Sequence, residues 1–418
     1  MISLADRTKL RDYARRVAEI ADLPIQAARR ARWTAHNSLR STEPMILIFP
    51  EGSWQELLPQ AALTCESEQA RWIEWQLRAR LYTDEHFQDD SVITNEWVVG
   101  KAIRITGWGL DIKRQPSTEA RGAFHFDPVI LEPSDLKKLR FPEVIHDEAA
   151  SAQSLAEMQE LFGDILAVKQ VGIAHVSFHL MSLYTGLRGL EEVMVDMYAE
   201  PEMLHDAMAF LEEGHRRLVE QYISLDLLSL NNDNTYHSSG GNGFTDELPA
   251  AGFDGAHVRP CDMWASAEAQ ELAQVSPEQH AEFVLPYEKR LLAPFALTGY
   301  GCCEDLARKL DDVLTIPHIR RISISPWSDV AACAEKLGNR AIFSWKPQPS
   351  HLVNDFDADF VRGYIRHTVE ACQAHGAVLE MILKDTHTCE YHPERFDQWT
   401  QIARQEADRA GATANLPA

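Results

Sequence analysis

Apolar residues along the chain follow two regimes that change near residue 155. Before it the pattern is mixed. Asp6 to about Leu39 has helical spacing with Arg-rich polar faces, and Met45-Ile46-Leu47-Ile48-Phe49, between Pro44 and Pro50, predicts a short strand. Ser67 to Leu81 is an amphipathic helix, with Ser67 placed as its N-cap. Ile93–Ile105, Gly107-Trp108-Gly109 and Phe124-His125-Phe126 are rich in β-branched and aromatic residues and predict a strand-rich excursion. Its large side chains, Trp97, Trp108 and Phe126 among them, either cover the mouth of a larger fold or form a small side core.

After residue 155 strands alternate with helices, which is the signature of a parallel sheet. The expected strands are Ala167–Ile173, Leu227–Leu230, Ala256–Arg259, Leu297–Tyr300, Ile322–Ser325, Ala341–Ser344 and Val378–Leu383. All are short and apolar, as strands covered on both faces must be. An eighth comes from Met45–Phe49 or from the neighbourhood of Ala174–Leu180. Ser276-Pro277-Glu278-Gln279 opens one helix with a serine cap and a first-turn proline. Gly338 and Gly376 stand where helices need a left-handed terminator. The expected fold class is therefore α/β, a (β/α)8 TIM barrel over residues 151–418 with an N-terminal α+β extension over 1–150 packing on it.

Composition narrows the context. Lys and Arg number 40 against 63 Asp and Glu, a net charge of −23. That surface repels nucleic acid and anionic membranes, but leaves room for an anionic small molecule in a local basic pocket. The first 28 residues carry scattered charge and no apolar run, so no secretory signal is expected. Seven cysteines without a secretory context point to reduced thiols and a cytoplasmic protein. Cys333 and Cys372 sit on apolar helix faces and read as core.

In a (β/α)8 barrel the chemistry lies just past the C-terminal ends of the strands. Those positions hold Asn231, Asn232, Asp233 and Asn234; Cys261, Asp262 and Trp264; Cys302, Cys303, Glu304 and Asp305; Pro326 and Trp327; Trp345 and Lys346; and Lys384, Asp385, Thr386, His387 and Cys389. Tyr300-Gly301-Cys302-Cys303-Glu304 is the sharpest element. A thiolate serves as nucleophile or zinc ligand, although adjacent side chains are expected to diverge, so that only one cysteine would ligate. Otherwise the pair simply fills a narrow rim. Lys346 and Lys384 either bind a carboxylate or phosphate or pair with Asp262, Glu304 or Asp385. Ser238-Ser239-Gly240-Gly241-Asn242-Gly243 matches no dinucleotide fingerprint and is expected to be a lid over the site, or else an ordinary long loop. His175 and His179 read as satisfied core histidines.

At these residues the sequence resembles the uroporphyrinogen decarboxylase-like superfamily, in the branch with an N-terminal extension. The resemblance spans roughly residues 155–405 and rests on Arg188-Gly189, Asp246-Glu247-Leu248-Pro249, Tyr300-Gly301-Cys302-Cys303-Glu304, Ser325-Pro326-Trp327, Lys346-Pro347 and Leu383-Lys384-Asp385, with Gly107-Trp108-Gly109 upstream. It implies a barrel, and porphyrinogen decarboxylation or methyl transfer with corrinoid proteins, thiols or folates. The decarboxylases' N-terminal Arg-Gln-Ala-Gly-Arg motif is absent here, and Arg29-Arg30-Ala31-Arg32 is not its equivalent. Of the zinc ligands used by the family's methyltransferases, Cys302 is kept. Glu304, Asp385 or His387 would have to complete a site.

The leading expectation is a methyltransferase that takes a methyl group from a small substrate and passes it to a corrinoid carried on a partner protein or to tetrahydrofolate. In it Cys302, Glu304 and Asp385 are catalytic. Asn231, Asn232, Asp262, Trp264, Trp327, Lys346 and Lys384 bind substrate, and zinc, if used, is held by Cys302, Glu304 and His387. The alternatives are a metal-independent decarboxylase, with Asp262 or Asp385 stabilising a cationic intermediate, and a non-catalytic ligand-binding barrel. Neither nucleic acid nor membrane is an expected partner. Self-association is left open, with a homodimer the simplest form.

Overall fold

The computed structural model describes residues 2–41, 43–115, 125–238 and 240–414. Phe124 and Ser239 lie outside them. Seven parallel strands form one sheet in the order Met45–Ile48, Val378–Leu383, Ile342–Trp345, Ile319–Ile324, Leu297–Tyr300, Trp264–Ala267 and Ser177–Phe178. Spatial neighbours are sequence neighbours, except that the first strand pairs with the last. The fold is α/β. Both segments considered for the remaining strand belong to this sheet, so the stretch before residue 150 supplies one of its strands.

Side chains alternate across the sheet. One set, including Ile46, Ile48, Ile322, Ile324, Phe343, Trp345, Leu379, Met381 and Leu383, joins the main core with the helices. The other set is mixed: Met45, Leu47 and Ile382 are apolar, while Arg321, Ser323, Ser344 and Glu380 are polar and buried. A buried charge needs a partner. Arg321 Nε donates to Glu380 Oε1 at 2.9 Å, and its Nη2 donates to Asn37 Oδ1 at 2.7 Å. Ser344 Oγ donates to the same Glu380 oxygen. Burial raises the Glu380 carboxyl, but Arg321 and His36 outweigh it and hold it at about 2.

The glycine-rich segment is not a lid. Its described residues, 236–238 and 240–244, run inward against this mixed face. Gly240 and Gly241, at φ +140° and +99°, lie so close to Ile382 and the Arg321 guanidinium that a Cβ would come within 2.4 Å and 2.8 Å of them. Phe244 joins Trp33, Met45, Leu47, Val92 and Ile382 in one cluster. Glycine is required here because the backbone fills space a side chain would need.

Three strand expectations are corrected. Ala167–Val171 is a strand, but it pairs with Glu96–Gly100 in a separate two-stranded parallel sheet. Leu227–Leu230 makes a single bridge, Leu228 to Ile173, because the Asn231 side chain takes over the pairing role, binding Ala174 O, Trp264 O and Trp264 N. Ala256–Arg259 is not a strand: the Asp254 carboxylate accepts from the Ala256 and His257 amides and turns the chain. The strand lies later, at Trp264–Ala267. The expected helix from Asp6 to Leu39 is two, Leu4–Ala21 and Pro24–Asn37, divided where Pro24 starts the second. Ser67 and Ser276 cap as expected, and Gly338 and Gly376 follow their helices at positive φ.

Candidate functional site

Each sheet strand delivers polar residues at its C-terminal end, and four of these ends meet over the glycine plug. His179 follows Ser177–Phe178, Glu268 follows Trp264–Ala267, Gly301 to Glu304 follow Leu297–Tyr300, and Lys384 and Asp385 follow Val378–Leu383. Of these, His179, Glu268, Gly301, Cys302 and Lys384, together with Tyr236 and Ser266, line a cavity of about 180 Å3, and Cys303, Glu304 and Asp385 lie beside it. His179 Nδ1 is 2.7 Å from Glu268 Oε1. Burial opposes a charge on this imidazole, but the Glu268 carboxylate outweighs it and the pKa is raised. Lys384 Nζ stands 3.7 Å from Asp385 Oδ1 and 3.9 Å from Glu51 Oε1. Burial opposes its charge too, yet Tyr236, Asp385, Cys302 and Glu51 more than compensate, so the ammonium is held.

The cysteine turn is rigidly built. Gly301 takes φ +90°, with the Leu306 side chain where a Cβ would project. The Cys302 amide donates to Glu304 Oε2 at 2.8 Å, and Ser323 Oγ donates to the Cys302 carbonyl at 2.8 Å. The side chains of Cys302 and Cys303 do not diverge as expected: their sulfurs are 3.5 Å apart. Cys303 Sγ is also 3.8 Å from Asp385 Oδ2. The sulfur–sulfur hydrogen bond splits the pair, lowering the pKa of the more exposed Cys303 and raising that of Cys302. Burial pushes Glu304 up to about 7, and among the described residues its Oε1 has no hydrogen-bond partner.

The other expected site residues scatter. Lys346 is buried and donates to the Ser344 carbonyl at 3.0 Å and to Ser344 Oγ at 2.7 Å; burial brings it down to about 7. It therefore joins the Arg321–Glu380 network through Ser344, and not Asp262, Glu304 or Asp385. Asp262 and Trp264 stand at the wrong end of their strand, at its start. Asp262 is fixed by Arg259, and the Trp264 indole N–H donates to Gly243 O. Asn231 and Asn232 are committed to backbone groups, Asn232 to Leu248 O. Trp327 is 69% exposed on the rim. His387 is exposed in the loop after the last strand. Among the described residues no three His, Cys, Asp or Glu side chains are grouped to hold a metal ion, so Cys302, Glu304 and His387 do not form the zinc site expected of them.

His179 was expected, with His175, to be a satisfied core histidine, but its side chain is 46% exposed and both line the cavity; Glu268 and Tyr236 did not stand out in the sequence. His179 directly follows one of the two segments weighed as the remaining strand, so the same strand-end rule applied there picks it out. Glu268 was missed because its strand was placed about eight residues too early. Tyr236 reaches the site from the plug, which no strand rule reports.

No protein-family model matches the sequence, and no curated protein does. Among solved structures, one described as a methyltransferase from Methanosarcina mazei is similar over 90% of this chain and 98% of that one, at 12% identity and a TM-score of 0.46.

Proposed function

We propose that this chain is an enzyme that transfers a methyl group from a small anionic methylated substrate to a corrinoid on a partner protein or to tetrahydrofolate. The observation that carries the reading is the placement of a retained ammonium, Lys384, and a carboxylate-paired imidazole, His179, around one small cavity walled by Cys302. Lys384 fixes the substrate's anionic group. His179, whose acid form Glu268 favours, donates a proton to the heteroatom that loses its methyl group, which is the step such a leaving group needs. The acceptor supplies the nucleophile for the methyl group. Glu304 holds the thiol turn in place through the Cys302 amide. No step is routed through zinc, because the donors do not fit it.

The sheet is read as seven strands of a closed (β/α)8 barrel. Residues 89–90 support this at one edge: the Asp90 amide donates to Ile46 O at 2.9 Å, and the two carboxylates accept from the Ile46 and Ile48 amides. At the other edge Asn231 ties Ala174 to Trp264.

The test is turnover. Purified protein, a panel of small methylated carboxylic acids and phosphates, and cob(I)alamin or tetrahydrofolate should yield the methylated acceptor. Release of CO2 from the acids without methyl transfer would replace this reading with a decarboxylase. Binding without turnover would leave a ligand-binding barrel.

A further inference from the structure

The two adjacent thiols form a preorganised unit. Both sulfurs lie on the same side of the turn, 3.5 Å apart. Three constraints hold them there: the positive φ of Gly301, the Cys302 amide bond to Glu304, and the Ser323 hydroxyl on the Cys302 carbonyl. Cys303 is exposed and Cys302 walls the cavity, so the pair is reachable from outside. Of the other cysteines, Cys65, Cys333, Cys372 and Cys389 are buried and Cys261 is half-buried. At a bond length of about 2.3 Å, usual for a metal–thiolate bond, sulfurs 3.5 Å apart subtend roughly 100° at the bound atom. That is a pyramidal angle, wide enough for a three-coordinate atom and too narrow for a linear one. Thiolates select soft centres, and a dithiol already in position loses little ordering entropy on binding.

We propose that Cys302 and Cys303 together form a binding site for a small trivalent thiophile of the organoarsenical class, bridged by both sulfurs at the cavity mouth. An arsenic(III) oxide, R–As=O, exchanges its oxygen for two As–S bonds. The two thiol protons leave with that oxygen as one water, and arsenic stays trivalent throughout. The third substituent R projects into the cavity beside Tyr236 and Lys384. This site does not depend on the methyl-transfer reading, and its test does not use turnover.

The probe is phenylarsine oxide, followed by intact mass spectrometry of the full chain. One adduct per chain should form, survive excess glutathione and be removed by dimercaptopropanol. Cys302→Ser and Cys303→Ser should each give no adduct that survives glutathione. In the wild type the adduct should protect both cysteines from iodoacetamide in a peptide map, a readout that needs no variant. Failure of the wild type to form an adduct, removal of its adduct by glutathione, or survival of the adduct in either single variant overturns the proposal.

Discussion

At the scale of single residues, the proposed chemistry rests on His179 and Lys384, whose charged forms neighbouring groups favour, and the thiol turn on Glu304, whose carboxyl burial pushes up. His179→Gln keeps a hydrogen-bonding side chain but cannot give up a proton, and is expected to lower kcat about 10²- to 10⁴-fold with little change in KM. Lys384→Gln removes the anion's partner and should instead raise KM roughly tenfold to a hundredfold, the worth of one charged hydrogen bond. Steady-state kinetics on both variants separates the roles. Glu304 makes a prediction about pH. Its folded pKa, about 7, lies above the ordinary 4.5, so its contribution to stability is complete below about 4.5 and is lost as pH rises through 7. The loss is on the order of 3 kcal/mol. Lys346, depressed to about 7, acts in the opposite sense, losing its contribution as pH falls. The difference in melting temperature between wild type and Glu304→Gln cancels the lysine. The wild type should lose stability relative to the variant between pH 5 and pH 8.5, and parallel curves would contradict the assignment.

At the scale of elements, the plug and the ion pair beneath it are one unit. Arg321→Met should cost about 3–5 kcal/mol in urea unfolding, because it removes the guanidinium paired with the buried Glu380 and leaves that carboxylate only His36, Ser344 and Lys346. A loss under 1 kcal/mol would mean that the network is solvated. This buried arrangement explains what the sequence could and could not reveal. Leu297–Tyr300 and Val378–Leu383 were legible to the residue, since both are apolar runs bounded by turn formers. Ile319–Ile324 was legible only in its second half, because Arg320 and Arg321 look like surface residues until Glu247 and Glu380 are seen to neutralise them. Leu227–Leu230 has a strand's composition, yet side-chain amides replace its ladder. The thiol turn stood out in the sequence, but the approach of its sulfurs did not, since it depends on Gly301 and Glu304 acting together. The glycines signalled unusual backbone without telling a surface loop from an inserted one.

At the scale of the molecule, the segment before residue 150 shares a sheet and a core with the rest of the chain. Among the described residues its strand Met45–Ile48 pairs only with Val378–Leu383 in the sheet. Its second core, around Leu10, Ile73 and Trp97, is completed by Met158, Leu161, Phe162 and Leu166. A fragment of residues 1–150 should therefore show no cooperative thermal transition by circular dichroism; a sharp one would show that it folds alone. The charge of −23 predicts no shift of DNA or RNA in a gel at physiological salt and low micromolar protein. The pairing of first strand with last also has a consequence during synthesis. The apolar Met45–Ile48 segment leaves the ribosome about 330 residues before its partner, which at ordinary elongation rates is a wait on the order of tens of seconds. Through that interval one of its edges has no strand to satisfy it, so the nascent chain is expected to carry an exposed, unpaired apolar strand. Its yield in a cell should depend on chaperone supply and translation speed more than the stability of the finished protein would suggest.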